Sequence, residues 1–418
     1  MKILLVNPNR YHHPPVIPLG LEYLAGALKK SKHKYEVLDL CFSDDPVKDL
    51  KERINSYDPS IVGITFRQID TVLFHTNEYY VDDLKKLVSA CRQYGKKIIL
   101  GGAGFSIAPS ELLSHTEADF GICGPGERAL ITLLDKLESN SKPEPVIDCY
   151  GVSESKDFHF KRERVINYNT YLIKEGAIGF RTQVGCNENC IYCPEGDKKI
   201  TPMDPKRVAM EIKELTDAGY NNFHLCDSEF NLNLDYSISI CRALSKNIKN
   251  LKWSLYMKPF PFSEELFQCL QKSGASMITL SLDTVPQKYS EHDYEKLEQF
   301  FALSRKHGIK IAVDLMTGFP YEKREDAINF ISFLKDQPAE TVGVNNNFRV
   351  YPNTPLCSII KKDRSLHKYL INYNENSDFI KPVFFRYFSD EDISSIIRNY
   401  SNFRLEGPEK ATNYQRVK

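Results

Sequence analysis

At 418 residues, with 42% apolar and 26% charged side chains, the chain is long enough for two or three domains and has an ordinary globular make-up. Its 55 basic residues balance 55 acidic ones, which excludes a chain-wide field for nucleic acid or an anionic membrane. Eleven cysteines, an odd number with three clustered, argue against a secreted disulfide scaffold, and no stretch approaches the roughly 18 apolar residues of a membrane span. The apolar run at 1–6 is too short for a signal peptide and continues into a fold, so a reducing, cytoplasmic setting is expected.

Ile3-Leu4-Leu5-Val6, closed by Asn7-Pro8, reads as a buried parallel strand. Pro18-Leu19-Gly20 opens a helix carried by Leu21, Leu24 and Leu28, with proline near its start. Strands at 35–38, 61–65, 97–100 and 119–122 follow, with a polar helix at 46–56 and another helix at 127–138. Alternating strands and helices predict a doubly wound, Rossmann-like parallel sheet over 1–138, with its ligand beyond the carboxyl ends of the strands. Three segments fall at those ends: Arg67-Gln68-Ile69-Asp70, Gly101-Gly102-Ala103-Gly104-Phe105-Ser106 and Gly124-Pro125-Gly126-Glu127. Glycines there let a bulky ligand reach the backbone and Ser106 offers a hydroxyl, so together the loops predict a pocket. Any one of them alone is equally a tight turn, and Arg67 and Asp70 are spaced to pair with each other. The first strand is not followed by G-x-G-x-x-G, so a dinucleotide site is not expected. His12 and His13, in a proline-flanked loop, read as solvated.

Residues 139–175 lack sustained periodicity and read as a linker. A strand at 179–183 then runs into Cys186-Asn-Glu-Asn-Cys190-Ile-Tyr-Cys193. Thiolates are soft ligands for iron–sulfur clusters, and three of them leave one iron of a cubane open; no nearby His or fourth Cys completes a zinc site. Asp204-Pro205 starts a helix whose inner stripe is Val208, Ile212 and Leu215 and which Gly219 ends. Strands at 223–225, 253–257, 277–282, 310–315 and 341–350, separated by helical pattern, predict a partial (β/α)6 barrel over 176–370. Its strand exits carry Asp227, Ser228 and Glu229, then Tyr256 and Lys258, Ser281 and Asp283, Asp314, and Arg349. Cys226, Cys241, Cys269 and Cys357 read as core thiols. The aromatic-rich tail, 371–418, reads as a small C-terminal cap.

The cysteine trio, with Tyr192 before its last member, resembles the cluster loop of radical S-adenosylmethionine enzymes. The resemblance implies a [4Fe-4S] cluster on Cys186, Cys190 and Cys193, and S-adenosylmethionine chelated at the open iron and cleaved to a 5′-deoxyadenosyl radical. It also implies that Asp227, Ser228 and Glu229 lie where the family grips the methionyl ammonium, although the family's glycines are missing. Ser281 and Asp283 would reach the ribose or carboxylate, and Asp314 precedes Thr317-Gly318-Phe319-Pro320, whose counterpart in the family lies near the adenosyl group; Arg349 and Tyr351 alternate toward opposite faces, and Arg349 is the one expected in the barrel interior. The first third is similar to the cobalamin-binding domain that precedes many such barrels, through Asn7-Pro8, Pro18-Leu19-Gly20, Gly101-Gly102 and Gly124-Pro125-Gly126-Glu127. Pro125 departs from the Glu common there. The Asp-x-His-x-x-Gly pattern is missing, so the resemblance implies cobalamin without a His beneath cobalt and with the 67–70 segment near its lower face.

The expectation is therefore a cobalamin-dependent radical enzyme that methylates an unactivated carbon of a small molecule, supplied with electrons by a partner such as flavodoxin or ferredoxin. A rearrangement, cyclisation or sulfur insertion with the same cofactors is the close alternative. A cobalamin or redox module whose cluster only carries electrons is the third reading.

Overall fold

Ile3, Leu4, Leu5 and Val6 are all buried, as a central parallel strand covered on both faces requires. In the computed structural model, which describes residues 1–150, 160–285 and 288–407, they lie in β1 (Lys2–Asn7). With β2 (Lys34–Asp39), β3 (Ile61–Thr65), β4 (Lys97–Gly101), β5 (Phe120–Cys123) and β6 (Val146–Asp148) this strand forms a six-stranded sheet, ordered β2-β1-β3-β4-β5-β6 and parallel throughout. The order reverses between β1 and β3, the switch point at which such sheets open a crevice. The expected strands and helices are present, but the segment expected to be a plain linker is not one. Its Val146–Asp148 stretch extends the sheet beside β5, and Tyr168–Leu172 is a short helix.

The second sheet starts at β7 (Ile178–Phe180). Next comes a two-stranded hairpin, β8 (Gln183–Val184) and β9 (Thr201–Pro202), that brackets the cysteine loop. β10 (Asn222–Leu225), β11 (Lys252–Met257), β12 (Ala275–Asp283), β13 (Lys310–Met316) and β14 (Thr341–Asn345) continue the parallel array from β7. The helix Pro205–Asp217 is built as its sequence requires. Asp204 accepts from Lys206 N and Arg207 N, Val208, Ile212 and Leu215 are buried, and Gly219 follows at φ +94°.

The strand expected over 341–350 breaks in two. Asn345 Oδ1 accepts from Asn347 N at 2.8 Å, and Asn346 Nδ2 donates to Phe388 O and Asp390 Oδ1, each at 3.1 Å, so side chains replace the ladder. β15 (Phe348–Arg349) then pairs with β17 (Phe384–Phe385), which also pairs with β16 (Leu370–Ile371). The tail is more than a cap. Its β18 (Phe403–Leu405) adds to β14 as a seventh parallel strand of the barrel sheet.

The two sheets share one core. Leu5 and Leu21 of the first half belong to the same apolar cluster as Phe180, Trp253 and Phe300 of the second. The segment after the first sheet straps them together: Arg162 Nε donates to Glu22 Oε2 at 2.6 Å, Arg162 Nη1 to Gly179 O at 2.7 Å, and Tyr168 OH to Glu22 Oε2 at 2.7 Å.

Candidate active site

The loop between β8 and β9 is held from several sides. Cys193 N donates to Cys190 O at 3.0 Å, Lys198 N to Cys186 O at 2.7 Å and Leu356 N to Ile191 O at 2.8 Å. Lys258, at the end of β11, forms an ion pair with Glu188 inside the loop. All three thiols are free, and burial pushes each up, Cys193 to about 12. Among the described residues no three Cys, His, Asp or Glu side chains converge as ligands of a single ion. A cubane places its thiolates on separate irons, so three soft donors spread along one loop suit a cluster better than zinc. Tyr192 packs beside the rings of Phe319 and Phe348, with centroids 6.1 and 5.6 Å away.

Inside the barrel, Glu229 stands beside Ser281, which hydrogen-bonds it, and near Lys258, Glu188 and Asp314. Burial raises its carboxyl to about 7, and its Oε2 is enclosed without a hydrogen-bond partner. Asp283 forms an ion pair with Lys288 and accepts from Val285 N at 3.3 Å. The structure thus brings Glu229, Ser281, Asp283 and Asp314 toward the cysteine loop. The loop after β13 depends on a residue the sequence did not single out. Glu322 accepts from Thr284 Oγ1, Thr317 Oγ1, Gly318 N and Phe319 N at 2.6 to 3.0 Å.

Asp227 departs from expectation. It accepts from Thr182 N at 2.7 Å, from Gln183 N at 3.3 Å and from the Thr182 hydroxyl, so its lone pairs shape the exit of β7 rather than await an ammonium. Burial still raises it to about 6.

A cavity of ≈ 530 Å³ lies where the two sheets' carboxyl edges meet. Asn7, Pro18, Leu19, Gly20, Arg67, Gly101, Gly102, Ser106, Gly124, Gly126 and Glu127 line it from the first half; Arg181, Gln183, Glu195, Cys226, Asp227 and Ser228 line it from the second. Several wall residues also have structural partners. Asn7 Nδ2 donates to Asp39 Oδ1 at 2.8 Å, and Ser106 Oγ accepts from Gly124 N and donates to Gly102 O, both at 3.0 Å. Glu127 forms an ion pair with Arg181, whose guanidinium lies 4.0 Å from the Tyr23 ring centre.

Three contacts expected with the cavity, those of Gly104, Phe105 and Asp70, are not made, and Arg349 is not free to face the barrel interior. Phe105 is fully buried in the slot opposite Gly121, where a Cβ would meet its ring at 2.0 Å. A Cβ on Gly104 would stand 2.6 Å from Gln68 N, so that glycine serves backbone packing. The same is true of Gly102 even though it lines the wall, with Phe66 O at 2.6 Å and φ at +97°. Asp70 and Arg349 are absent from the lining because they bind each other, Nε to Oδ2 at 2.7 Å, with both side chains buried. Arg67 therefore does not pair with Asp70. It lines this cavity and also a second one of ≈ 510 Å³, which shares Asn9 and Gln68 with the first and which His12 and His13 border. Cys226, expected in the core, is accessible through the first cavity; only its position just beyond β10 hinted at this.

The cavity suits a large, flat, amide-rimmed ligand such as cobalamin. A Cβ on Gly20 would meet nothing within 4 Å, so open space reaches the backbone, and Glu127 Oε2 is a buried acceptor without a donor.

Comparison with known proteins agrees with both halves. The family model for the B12 binding domain matches residues 6–134, and that for the Radical SAM superfamily matches residues 180–334. The chain is 25% identical over 438 aligned positions to a tryptophan 2-C-methyltransferase of Streptomyces laurentii, covering 84% of this chain and 73% of that protein. It is 22% identical to an uncharacterized methyltransferase of Pyrococcus horikoshii, covering 97% and 93%. Its fold is similar to that of the radical S-adenosylmethionine methyltransferase TsrM from Kitasatospora setae, solved with cobalamin and a [4Fe-4S] cluster. The TM-score is 0.86 at 21% identity, covering 100% of this chain and 93% of that one.

Proposed function

Because the chain carries a B12-binding domain ahead of a radical SAM domain, and so belongs to the cobalamin-dependent radical S-adenosylmethionine enzymes, we propose that it transfers a methyl group to an unactivated carbon of a small-molecule substrate. The observation that carries this reading is the shared cavity, lined at once by the switch-point loops of the first sheet and by the exits of β7, β8 and β10 beside the cysteine loop. When bound, the cluster supplies the electron that opens S-adenosylmethionine, and the corrin carries the methyl group.

The residues divide that work. Cys186, Cys190 and Cys193 hold the cluster, and Lys258 steadies their loop through Glu188. Glu229, its Oε2 unpartnered, is the acceptor for the methionyl ammonium. Ser281, Asp283 and Asp314 line the same interior, and Glu322 fixes the Thr317–Phe319 backbone beside it. On the other side, Gly20, Gly101, Gly124, Gly126 and Glu127 receive the corrin, with Arg67 entering the cavity from the β3 exit. An electron donor such as flavodoxin or ferredoxin and a cytoplasmic setting belong to the same reading; no helix among the described residues is long and apolar enough to cross a membrane.

The test is anaerobic reconstitution with iron, sulfide and cobalamin, followed by turnover with S-adenosylmethionine carrying a labelled methyl group. Tryptophan is the first substrate to assay, then a metabolite pool. Label in a carbon-bound methyl supports the proposal. If 5′-deoxyadenosine forms while no product carries label, methyl transfer is rejected.

A further inference from the structure

The segment 67–80 of the first half has two sides. Arg67 and Gln68 line the cavity, while the residues after them are gripped by the C-terminal half of the chain. Asp70 Oδ2 accepts from Arg349 Nε at 2.7 Å. The same guanidinium donates to the carbonyls of Phe379 and Ile380 at 3.1 and 2.7 Å, so one buried side chain ties the tail to the β3 exit. Glu406, directly after β18, accepts from Phe74 N and, at 3.1 Å, from His75 N. His75 Nε2 lies 3.0 Å from Asp390 Oδ2, the Phe74 ring packs 5.4 Å from Phe384, and the Arg386 guanidinium covers Phe74 at 5.1 Å.

Apart from the two bonds from Arg349 to Phe379 and Ile380, each of these contacts joins a loop of the cobalamin domain to residues 349–406, whose β18 is the edge strand of the barrel sheet opposite β7. A loop that needed only to connect β3 to the helix Val81–Gln93 would not require a guanidinium and a carboxylate from the other end of the chain to hold it. Val72 within it has φ +55°, a conformation a β-branched side chain avoids; Asp70 Oδ1 helps hold it there by accepting from Val72 N at 2.8 Å.

We propose that the C-terminal segment is a positioning device for the corrin-facing loop, and that Arg349 and Glu406 are positioning residues that hold Arg67 and Gln68 at the cavity wall. The inference rests on the cobalamin reading above. It gives β18 a role beyond sheet extension: the tail reaches across the barrel edge so that the far sheet's ligand loop is held in register with the barrel.

Three variants of the full-length protein test this: Glu406→Ala, Glu406→Gln and Arg349→Lys. Glu406→Ala removes the acceptor of two backbone donors, whereas Gln retains an acceptor oxygen. Glu406→Ala is expected to weaken hydroxocobalamin binding, read by equilibrium absorbance titration, by about tenfold. It should also speed amide hydrogen exchange across 68–80. Cluster iron content and S-adenosylmethionine affinity should stay at the wild-type level, and Glu406→Gln should restore both the corrin affinity and the exchange rates. Arg349→Lys keeps the charge but loses the fork to Phe379 and Ile380, and should loosen the same amides. A uniform loss of corrin, iron and S-adenosylmethionine binding, tracking a lower melting temperature, would overturn the proposal by showing a merely structural contact. So would unchanged corrin affinity and exchange in folded Glu406→Ala. Wild-type protein that takes up a cluster but no cobalamin defeats the underlying functional reading instead.

Discussion

Asp227, just beyond β10, holds the backbone of Thr182, just beyond β7, at 2.7 Å. These two strands are neighbours in the barrel sheet, and the bond sets the turn from which the polypeptide enters the cysteine loop. Burial raises the Asp227 carboxyl to about 6, above its ordinary value near 3.9. The folded form thus binds its proton more tightly than the unfolded chain does. Its contribution to stability is full below about pH 4 and is lost as pH rises through about 6. Asp227→Asn, which stands in for the neutral carboxyl, should flatten that slope in urea titrations between those pH values and make the protein more stable than wild type at neutral pH. Asp227→Ala strands two backbone donors and should cost about 2 kcal/mol.

Glu22 and Arg162 form a pair with both side chains almost wholly enclosed. Removing one partner leaves a buried charge, so Glu22→Ala should destabilise the protein by about 3–5 kcal/mol. The double variant Glu22→Gln with Arg162→Met removes both charges and should recover most of that loss. A double-mutant cycle by chemical denaturation measures the coupling, and additive single effects would show that the pair is not coupled.

Glycines on the cavity wall fall into two kinds. Gly20 opens onto free space inside the helix Leu19–Lys29, so Gly20→Leu should fold at least as well as wild type, gaining up to about 1 kcal/mol of helix propensity. Its side chain fills the cavity and should abolish corrin uptake, read by absorbance of the reconstituted protein. Gly102→Ala meets Phe66 O at 2.6 Å with φ at +97°, and should lower the melting temperature whether or not corrin is present.

The thiols are equally separable. Cys186→Ala, Cys190→Ala and Cys193→Ala should each remove cluster absorbance and most bound iron after anaerobic reconstitution. Cys226→Ala should retain both, since Cys226 lies outside the β8–β9 loop on the cavity wall. Chelating the iron from wild-type protein should abolish S-adenosylmethionine cleavage while leaving corrin binding in place, because the corrin-facing loops lie on the first sheet.

The architecture was legible because it is written in short-range pattern. A run such as Ile3 to Val6 admits few environments, and the stripe of Val208, Ile212 and Leu215 after Asp204-Pro205 marks one helix face. What misled was equally physical. Val146–Asp148 is too short to stand out by periodicity, and its strand exists because β5 offers a free edge. The polar run Asn345 to Asn347 ended β14 because amide side chains found partners at Phe388 and Asp390, far along the chain.

From the sequence alone came the alternation that yields two parallel sheets, the spacing of Cys186, Cys190 and Cys193, and the loops at the strand ends, all properties of residues close in the chain. Tertiary structure alone decided that Arg349 joins Asp70 rather than the barrel interior, that Glu127 meets Arg181, that Phe105 turns into the core and that Cys226 faces the cavity. The reason is that a charged or polar side chain is compatible with many partners, and which one it meets is set by how two sheets pack across separations such as the 279 residues between Asp70 and Arg349.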